Sequence, residues 1–203
     1  PDGDPHSAEV FKAKGINHFY VPPGVFKGEC VPGTRRDDMV HDVVFVGGGA
    51  GYHPDDWPYR ARLVKWLAQA YGSRYGKYGY PETFTRGQDL NDLYASSKVS
   101  VGDSLCKGFT HEKYWSARVF ECTGRGGFII HPRIKGLEEC FVEGEEIVLY
   151  DFGNFDQLKS LIDYYVEHDD ERERIRLAGH ERTKRDHTYH NRLAQMLEVV
   201  GRG

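Results

Sequence analysis

From residue 42 onward, hydrophobic and polar positions alternate between a strand pattern and a helix pattern. Residues 42–48, DVVFVGG, form a β-branched apolar run that ends in glycines, which is typical of a buried strand. The next regular segment begins at Pro58, a residue suited to the first turn of a helix, and places Leu63, Trp66 and Leu67 at helical spacing. The pattern therefore predicts a strand followed by a helix.

The same alternation continues to the end of the chain. Further strands are predicted in residues 73–79, 98–103, 127–131 and 146–150. Further helices are predicted in residues 89–97, 117–125, 154–168, 169–185 and 187–200. Because parallel strands need crossover connections, the order predicts an α/β, Rossmann-like fold: a parallel sheet with helices on both faces.

Residues 1–41 have a different pattern. Their pattern predicts a short helix in 5–15, a short strand and turn in 16–24, and a polar connector in 28–38. We interpret 1–41 as a linker or the tail of a preceding N-terminal domain, and 42–203 as the Rossmann-like domain. A first residue that is Pro1 rather than Met agrees with a trimmed or fragmentary product.

Composition narrows the class of partner. The 203 residues fit one domain, and a net charge of -4 provides no basic field for a polyanion, so nucleic acid is disfavoured and a small molecule is the expected ligand. The four cysteines show no C-x-x-C spacing, which indicates reduced thiols and a cytoplasmic protein without a zinc site. No apolar run reaches the roughly 18 residues of a membrane span.

The loop after the first predicted strand is rich in glycine. In open α/β sheets such a loop approaches phosphates through its backbone N–H groups, which makes Gly48, Gly49 and Gly51 candidate ligand contacts. The dinucleotide pattern G-x-G-x-x-G is absent, which disfavours NAD. The alternative is an ordinary glycine-rich surface turn.

The stretch SARVFECTGRGGFIIHP, residues 116–132, carries a charged pair. Ser116 is a suitable cap for a helix over 117–125, with Gly126 in the left-handed position after it. Arg118 and Glu121 then share a helix face, at the sheet edge where ligands bind. An arginine suits phosphate and a carboxylate suits ribose hydroxyls. The alternative is a surface salt bridge of little energetic value.

YASSKVSVGDS and residues 116–197 together resemble the C-terminal, donor-binding half of GT-B glycosyltransferases. The similarity covers about residues 42–197. It is greatest to the spore-maturation-protein-like group, with an Arg-x-Phe-Glu helix, a Gly-Gly strand, a Leu-Glu-x-Phe turn and a late His-Thr. The resemblance implies one half of a GT-B fold that binds a nucleotide sugar.

The resemblance also implies residue roles. Glu121 corresponds to the second, ribose-binding glutamate of the E-x7-E signature, whereas the first position is occupied by Lys113, with Glu112 beside it. The residues implied near the diphosphate are Arg118, Arg60, the 48–51 loop and the helix after Ser116. Thr85 and Arg86 fall where such domains contact the base through the backbone. Arg118 and Glu121 are thus the candidate catalytic residues.

The sequence indicates no metal or other cofactor. His187 and His190 have H-x-x-H spacing without an evident third ligand, and the resemblance places His187 in a terminal helix that packs back toward another domain. The adjacent aspartate pairs are not the D-x-D of a metal-dependent transferase. We therefore expect a metal-independent enzyme whose nucleotide sugar is its substrate.

The predicted function is sugar transfer from a nucleotide sugar to an unknown acceptor, with the acceptor held by a second domain or partner subunit. The alternative is a stand-alone nucleotide or nucleotide-sugar binding module without turnover. A nucleotide-dependent oxidoreductase is less favoured because its fingerprint is missing. An exposed apolar surface around residues 18–25 and the terminal helix would favour the enzyme with a missing half.

Overall fold

A computed structural model describes residues 5–48, 58–80, 83, 85–103 and 112–201. Within these residues the strands are β1 (His41–Val46), β2 (Tyr75–Tyr78), β3 (Ser97–Val101), β4 (Ile129–Pro132) and β5 (Val148–Tyr150). The helices are α1 (Pro5–Ala13), α2 (Pro58–Tyr71), α3 (Gly87–Ser96), α4 (Arg118–Gly124), α5 (Phe155–Glu167), α6 (Asp169–Asp186) and α7 (Tyr189–Gly201). None of these helices is long and apolar enough to cross a membrane.

The strands form one sheet in the order β2-β1-β3-β4-β5, and every pairing is parallel. In register, Val43 of β1 lies between Tyr75 of β2 and Val99 of β3. The chain leaves β1 toward one side for β2 and returns to the other side for β3. This reversal creates a crevice above the carboxyl end of β1, where ligands of open α/β sheets bind.

Both faces of the sheet are covered, as the sequence predicts. Val43 and Phe45 point to the face covered by α2 and α5, whereas Val44 and Val46 point to the face covered by α3 and α4. Alternate residues of one strand therefore enter two separate cores. This explains why β1 is an unbroken apolar run, the sequence pattern of a strand buried on both sides.

The segment before β1 packs closely on the domain. The strand expected in residues 16–24 is wrong: the structure has no strand there, and the only β contact nearby is a single bridge between Val25 and Thr188. Farther along, the Gly33 backbone touches α3, since a Cβ at Gly33 would lie 2.1 Å from the carbonyl carbon of Asn91. The division of the chain at residue 41 stays a prediction.

Three of the four cysteines lie in the described residues. Cys30, Cys122 and Cys140 are buried free thiols, and burial raises the pKa of each above its usual value. Cys106 lies outside the described residues. Buried thiols with a raised pKa are poor nucleophiles, so none of the three is a candidate for covalent chemistry.

Candidate functional site

A cleft of about 350 Å³ opens above the carboxyl end of β1, at the reversal of strand order. Its walls come from the segment before β1, the turns after β1 and β2, the start of α3, one face of α4 and the start of α7. The residues that line it are Gly24, Val25, Phe26, Glu29, Val46, Gly47, Gly48, Gly79, Tyr80, Thr85, Arg86, Leu90, Arg118, Glu121, Arg125 and Tyr189.

The turn after β1 is held against the turn after β2. The Gly47 N–H donates to the Tyr78 carbonyl over 2.8 Å. Gly79 has a positive φ of 118°, and a Cβ there would lie 2.3 Å from the Gly47 oxygen. Only glycine fits at position 79 for both reasons. At Gly47 and Gly79 the two turns thus present backbone to the cleft.

The structure brings together several residues that the sequence singles out. Gly48, Thr85 and Arg86 all line the cleft. Gly49 and Gly51 lie outside the described residues, and their predicted role stays a prediction. The segment that the resemblance associates with the base is therefore on the same cleft as the glycine turn.

Arg118 and Glu121 form an ion pair on the cleft wall. The distance from Arg118 Nη1 to Glu121 Oε2 is 2.5 Å, and the side chains are 27% and 31% exposed. Burial disfavours the charged form of Arg118, but the neighbouring Tyr94 hydroxyl and Glu121 carboxylate outweigh it and raise the pKa of the guanidinium. Arg118 is therefore a permanent cation, and both side chains of the pair can reach a ligand.

Ser116 has a smaller role than predicted. Its Oγ accepts from the Arg118 backbone N–H at 3.2 Å, and the helix begins at Arg118, one residue later than expected. Ser116 is not among the described residues that line the cleft. Gly126 has a φ of 77°, which confirms the predicted left-handed position after the helix.

Arg60 differs from its prediction as a diphosphate neighbour. It is 6% exposed and pairs with Asp103, just beyond β3, through Nε–Oδ2 and Nη2–Oδ1 distances of 2.5 and 3.2 Å. It does not line the cleft within the described part of the chain. Asp103 was not expected from the sequence, although both residues lie at the carboxyl edge of adjacent strands. The guanidinium is thus committed to a buried carboxylate.

Two further charged residues of the cleft were missed from the sequence. Arg125, just after α4, is 4% exposed and donates to the Gly87 carbonyl at 3.1 Å and to the Asn91 side chain. Its Nη2 lies 2.6 Å from Oε1 of Glu29, which is 34% exposed. Residues 29 and 125 are far apart in sequence and no motif connects them, so only the fold shows this contact.

The first position of the E-x7-E signature has an unusual backbone. Lys113 has a positive φ of 58°, and its Nζ lies 2.6 Å from Glu139. Glu112, the adjacent acidic residue, pairs with Lys135 instead. Neither residue is among those that line the cleft in the described part of the chain. The first position of the signature therefore lacks a glutamate in the sequence, and in the structure neither candidate residue lies on the cleft.

His187 is a structural residue between α6 and α7. Its Nε2 donates to the Cys140 carbonyl at 2.9 Å, and Nδ1 accepts from Arg192 at 2.8 Å. Burial lowers the pKa of His187 to about 4, so it is neutral near pH 7. His190 is exposed. Among the described residues no three His, Cys, Asp or Glu side chains are grouped as a metal site.

Residues 58–198 match the family model described as Glycosyl transferase-like. The chain belongs to this family. A comparison with curated proteins found no match.

Solved structures of similar fold include GT-B glycosyltransferases. The HepE protein of Anabaena, solved in complex with UDP and glucose, is 15% identical, with a TM-score of 0.68 over 100% of this chain and 62% of that one. Sucrose-phosphate synthase of Thermosynechococcus elongatus is 14% identical, with a TM-score of 0.65 over 99% and 57%. The chain thus spans less than two thirds of the length of these two proteins.

A third similar structure is itself a single domain. It is the C-terminal domain of LpcC, a glycosyl transferase group 1 family protein of Francisella tularensis, with 13% identity and a TM-score of 0.54. The alignment covers 78% of this chain and 96% of that domain. Together with the parallel sheet and its two helical layers, these similarities identify the fold as the Rossmann-like half of a GT-B glycosyltransferase.

Proposed function

We propose that this chain is the donor-binding domain of a glycosyltransferase that uses a nucleoside diphosphate sugar. One observation carries the proposal: the cleft at the carboxyl edge of β1 combines a glycine turn, the cation Arg118 and the carboxylate Glu121. Backbone N–H groups and an arginine are suited to a diphosphate, and a carboxylate is suited to ribose hydroxyls. The UDP and glucose of the HepE structure agree with this choice of ligand.

Arg118 has the main chemical role in this proposal. When the bond between the sugar and the diphosphate breaks, negative charge grows on the departing nucleoside diphosphate. A fixed cation in a partly buried cleft stabilises that charge more in the transition state than in the ground state. Glu121 would bind the ribose and hold the nucleotide in register with Arg118. Metal independence is part of the proposal because the aspartate pairs of the Rossmann-like domain are adjacent residues, and the one D-x-D of the sequence, Asp2-Gly3-Asp4, lies in its first four residues.

The acceptor is proposed to lie outside this chain, in a second domain or a partner subunit. An apolar surface formed by residues 16–21 and α7 supports that proposal. Phe19, Leu193, Leu197 and Val200 are 60%, 59%, 72% and 75% exposed, which is high for large apolar side chains on neighbouring elements. Such a surface marks an interaction site. Membership of the spore-maturation-protein-like group and a cytoplasmic location remain finer proposals.

Titration calorimetry on the purified chain tests the proposal. UDP, GDP, ADP and NAD are compared in the presence of a chelator. We expect at least one nucleoside diphosphate to bind more tightly than NAD, and to do so without a divalent metal. Tightest binding to NAD, or binding that appears only when metal is restored, would overturn the proposal.

The binding-module alternative is tested by turnover. Release of nucleoside diphosphate from the nucleotide sugar is followed over hours with the chain alone. Slow release abolished by Arg118→Ala supports an enzyme, whereas tight binding with no release favours a module. Holding two reactants in position lowers the activation barrier by roughly 7 to 11 kcal/mol, and we expect the second domain to hold the acceptor. Rapid transfer to an external acceptor by the chain alone would therefore refute the need for a second domain.

A further inference from the structure

We propose that Glu29, held in place by Arg125, reads the base of the nucleotide and makes the cleft selective for guanine. This inference rests on the proposed function, since it identifies which nucleoside diphosphate the same cleft takes. It adds a specificity-determining residue from the segment before β1.

The two ends of the cleft differ in chemistry. The glycine turn after β1 is the phosphate end expected for an open α/β sheet. Arg118 is the first residue of α4, and Arg125 follows its last residue. At the helical rise per residue, the two positions lie roughly 10 Å apart along the helix axis. A diphosphate held near Arg118 therefore directs its nucleoside along α4 toward Arg125 and Glu29.

An aromatic ring lies at the same end as Glu29. Phe26 lines the cleft three residues before Glu29 and is 62% exposed. Its ring is 4.8 Å from that of Tyr189, between ring centroids. An exposed aromatic side chain beside a polar group is a typical platform for a stacked base. This end of the cleft thus has the two components of a base site.

Glu29 is fixed on one side only. Its Oε1 lies 2.6 Å from Arg125 Nη2, and Arg125 is itself buried and anchored on the Gly87 carbonyl and on Asn91. Within the described part of the chain no partner is recorded for Glu29 Oε2. Each carboxylate oxygen has two acceptor sites. The carboxylate is therefore oriented by the protein yet able to accept from a ligand.

Base chemistry selects guanine for this carboxylate. Guanine presents two adjacent donors, N1–H and the N2 amino group, which match the two oxygens of a carboxylate. Uracil presents N3–H between two carbonyl acceptors, and adenine and cytosine place a ring acceptor beside their amino group, so each brings an acceptor against Glu29. Arg86 lines the cleft one residue before α3, and arginine is the usual donor to guanine O6 and N7.

The first test uses the unaltered chain. Affinities for GDP, inosine diphosphate, UDP and ADP are measured by calorimetry. Inosine diphosphate lacks only the N2 amino group of guanine. We expect GDP to bind at least about tenfold more tightly than each of the other three, because the loss of one hydrogen bond to a charged group lowers affinity by about that factor. Equal affinity for GDP and inosine diphosphate would overturn the assignment.

The second test assigns the effect to Glu29. Glu29→Gln keeps the shape of the side chain but replaces one acceptor with a donor. We expect it to weaken the affinity for GDP by about tenfold or more, and to change the affinities for inosine diphosphate and UDP by less than about threefold. Glu145→Gln, an equal change of charge at an exposed turn residue outside the cleft, should alter none of these affinities. Equal losses for all nucleotides in Glu29→Gln would overturn the proposal.

The outcomes separate this inference from the proposed function. Binding of UDP or ADP more tightly than GDP overturns guanine selection and leaves the donor-binding function intact. Failure of every nucleoside diphosphate to bind overturns both. If Glu29→Gln does not fold, the comparison of GDP with inosine diphosphate on the unaltered chain still decides the question.

Discussion

Arginine–carboxylate pairs occur in two environments at the carboxyl edge of this sheet, and the environment determines what each pair does. Arg118 with Glu121 is partly exposed on the cleft wall, so each side chain keeps access to a ligand. Arg60 with Asp103 is almost fully buried, at side-chain exposures of 7% and 5%. Removing one partner of a buried pair destabilises the fold, because it leaves the other charge buried without compensation. We therefore expect the first pair to affect binding and the second to affect stability.

Replacing Glu121 should weaken nucleotide binding and leave the fold nearly intact. Glu121→Ala is expected to cost about 1.5 to 3 kcal/mol of binding free energy for a nucleoside diphosphate, the value of a hydrogen bond to a charged group. Its effect on the free energy of unfolding should stay below about 1 kcal/mol, because the pair is partly exposed. Calorimetry and denaturant unfolding measure the two quantities.

A matched control for this prediction lies on α6. Glu173 pairs with Arg176 at the same i, i+3 spacing, with an Nη2–Oε2 distance of 2.7 Å, and neither residue lines the cleft. Glu173→Ala should affect stability about as little as Glu121→Ala while leaving affinity unchanged. If the two variants behave alike in both measurements, Glu121 is only a surface salt-bridge partner.

Replacing Asp103 should destabilise the protein strongly. Asp103→Ala leaves the Arg60 guanidinium buried without its carboxylate, which costs about 3 to 5 kcal/mol when a buried pair is broken. Asp151→Ala is the control, since Asp151 forms an exposed pair with Arg133 and should cost less than about 1 kcal/mol. Equal midpoints of urea unfolding in the two variants would show that Arg60 does not depend on Asp103.

At the scale of elements, the segment before β1 acts as a wall of the cleft. It contributes Gly24, Val25, Phe26 and Glu29 to the lining. Two anchors hold it: backbone hydrogen bonds of Val25 with His187 and Tyr189, and the close packing of Gly33 on α3. A substitution at an anchor should therefore change nucleotide affinity even though the substituted residue does not contact the ligand.

Gly33→Ala is expected to lower both stability and nucleotide affinity. Its Cβ would lie 2.1 Å from backbone atoms of α3, which must separate from the segment, and such overpacking costs about 1 to 3 kcal/mol. Gly28→Ala is the control in the same segment, because nothing lies within 4 Å of its Cβ. Thermal unfolding and calorimetry compare them. Equal effects of both substitutions would contradict the anchoring role of Gly33.

The order of strands and helices could be predicted because each element has a local signal, such as the β-branched run of β1 or the apolar face of α5. The positions of side chains across the sheet could not. The resemblance implies that Arg60 lies near the diphosphate, yet in the fold it pairs with Asp103 on the neighbouring connection. The strand expected in 16–24 has apolar residues but no neighbouring strand to pair with. Long-range partners, including Glu29 with Arg125, need the fold.

At the scale of the whole molecule, buried neutral histidines link the stability of the domain to pH. His187 lies where Cys140, α6 and α7 meet, and its ring packs against Phe120 and Phe141 at centroid distances of 5.0 and 5.2 Å. Arg192 donates to its Nδ1, so a proton there would meet a guanidinium. His131 is also buried, and burial lowers its pKa as well. The native state therefore resists protonation of both rings.

Acid should destabilise the domain before its carboxylates titrate. The unfolded chain protonates His187 near pH 6.5, whereas burial lowers the pKa to about 4 in the native state. Between these values the unfolded state binds more protons, so the free energy of unfolding rises with pH and is lost as pH falls through the window. His187 alone accounts for a loss of about 2 kcal/mol between pH 7 and pH 5.

Urea unfolding at pH 7 and pH 5 measures this dependence. His187→Gln removes the titrating ring and should lower stability at pH 7 through lost packing, but it should shrink the difference between the two pH values by about 2 kcal/mol. The exposed His190→Gln is the control and should preserve the full difference. A pH difference unchanged by His187→Gln would show that His187 is not the group that couples folding to protons.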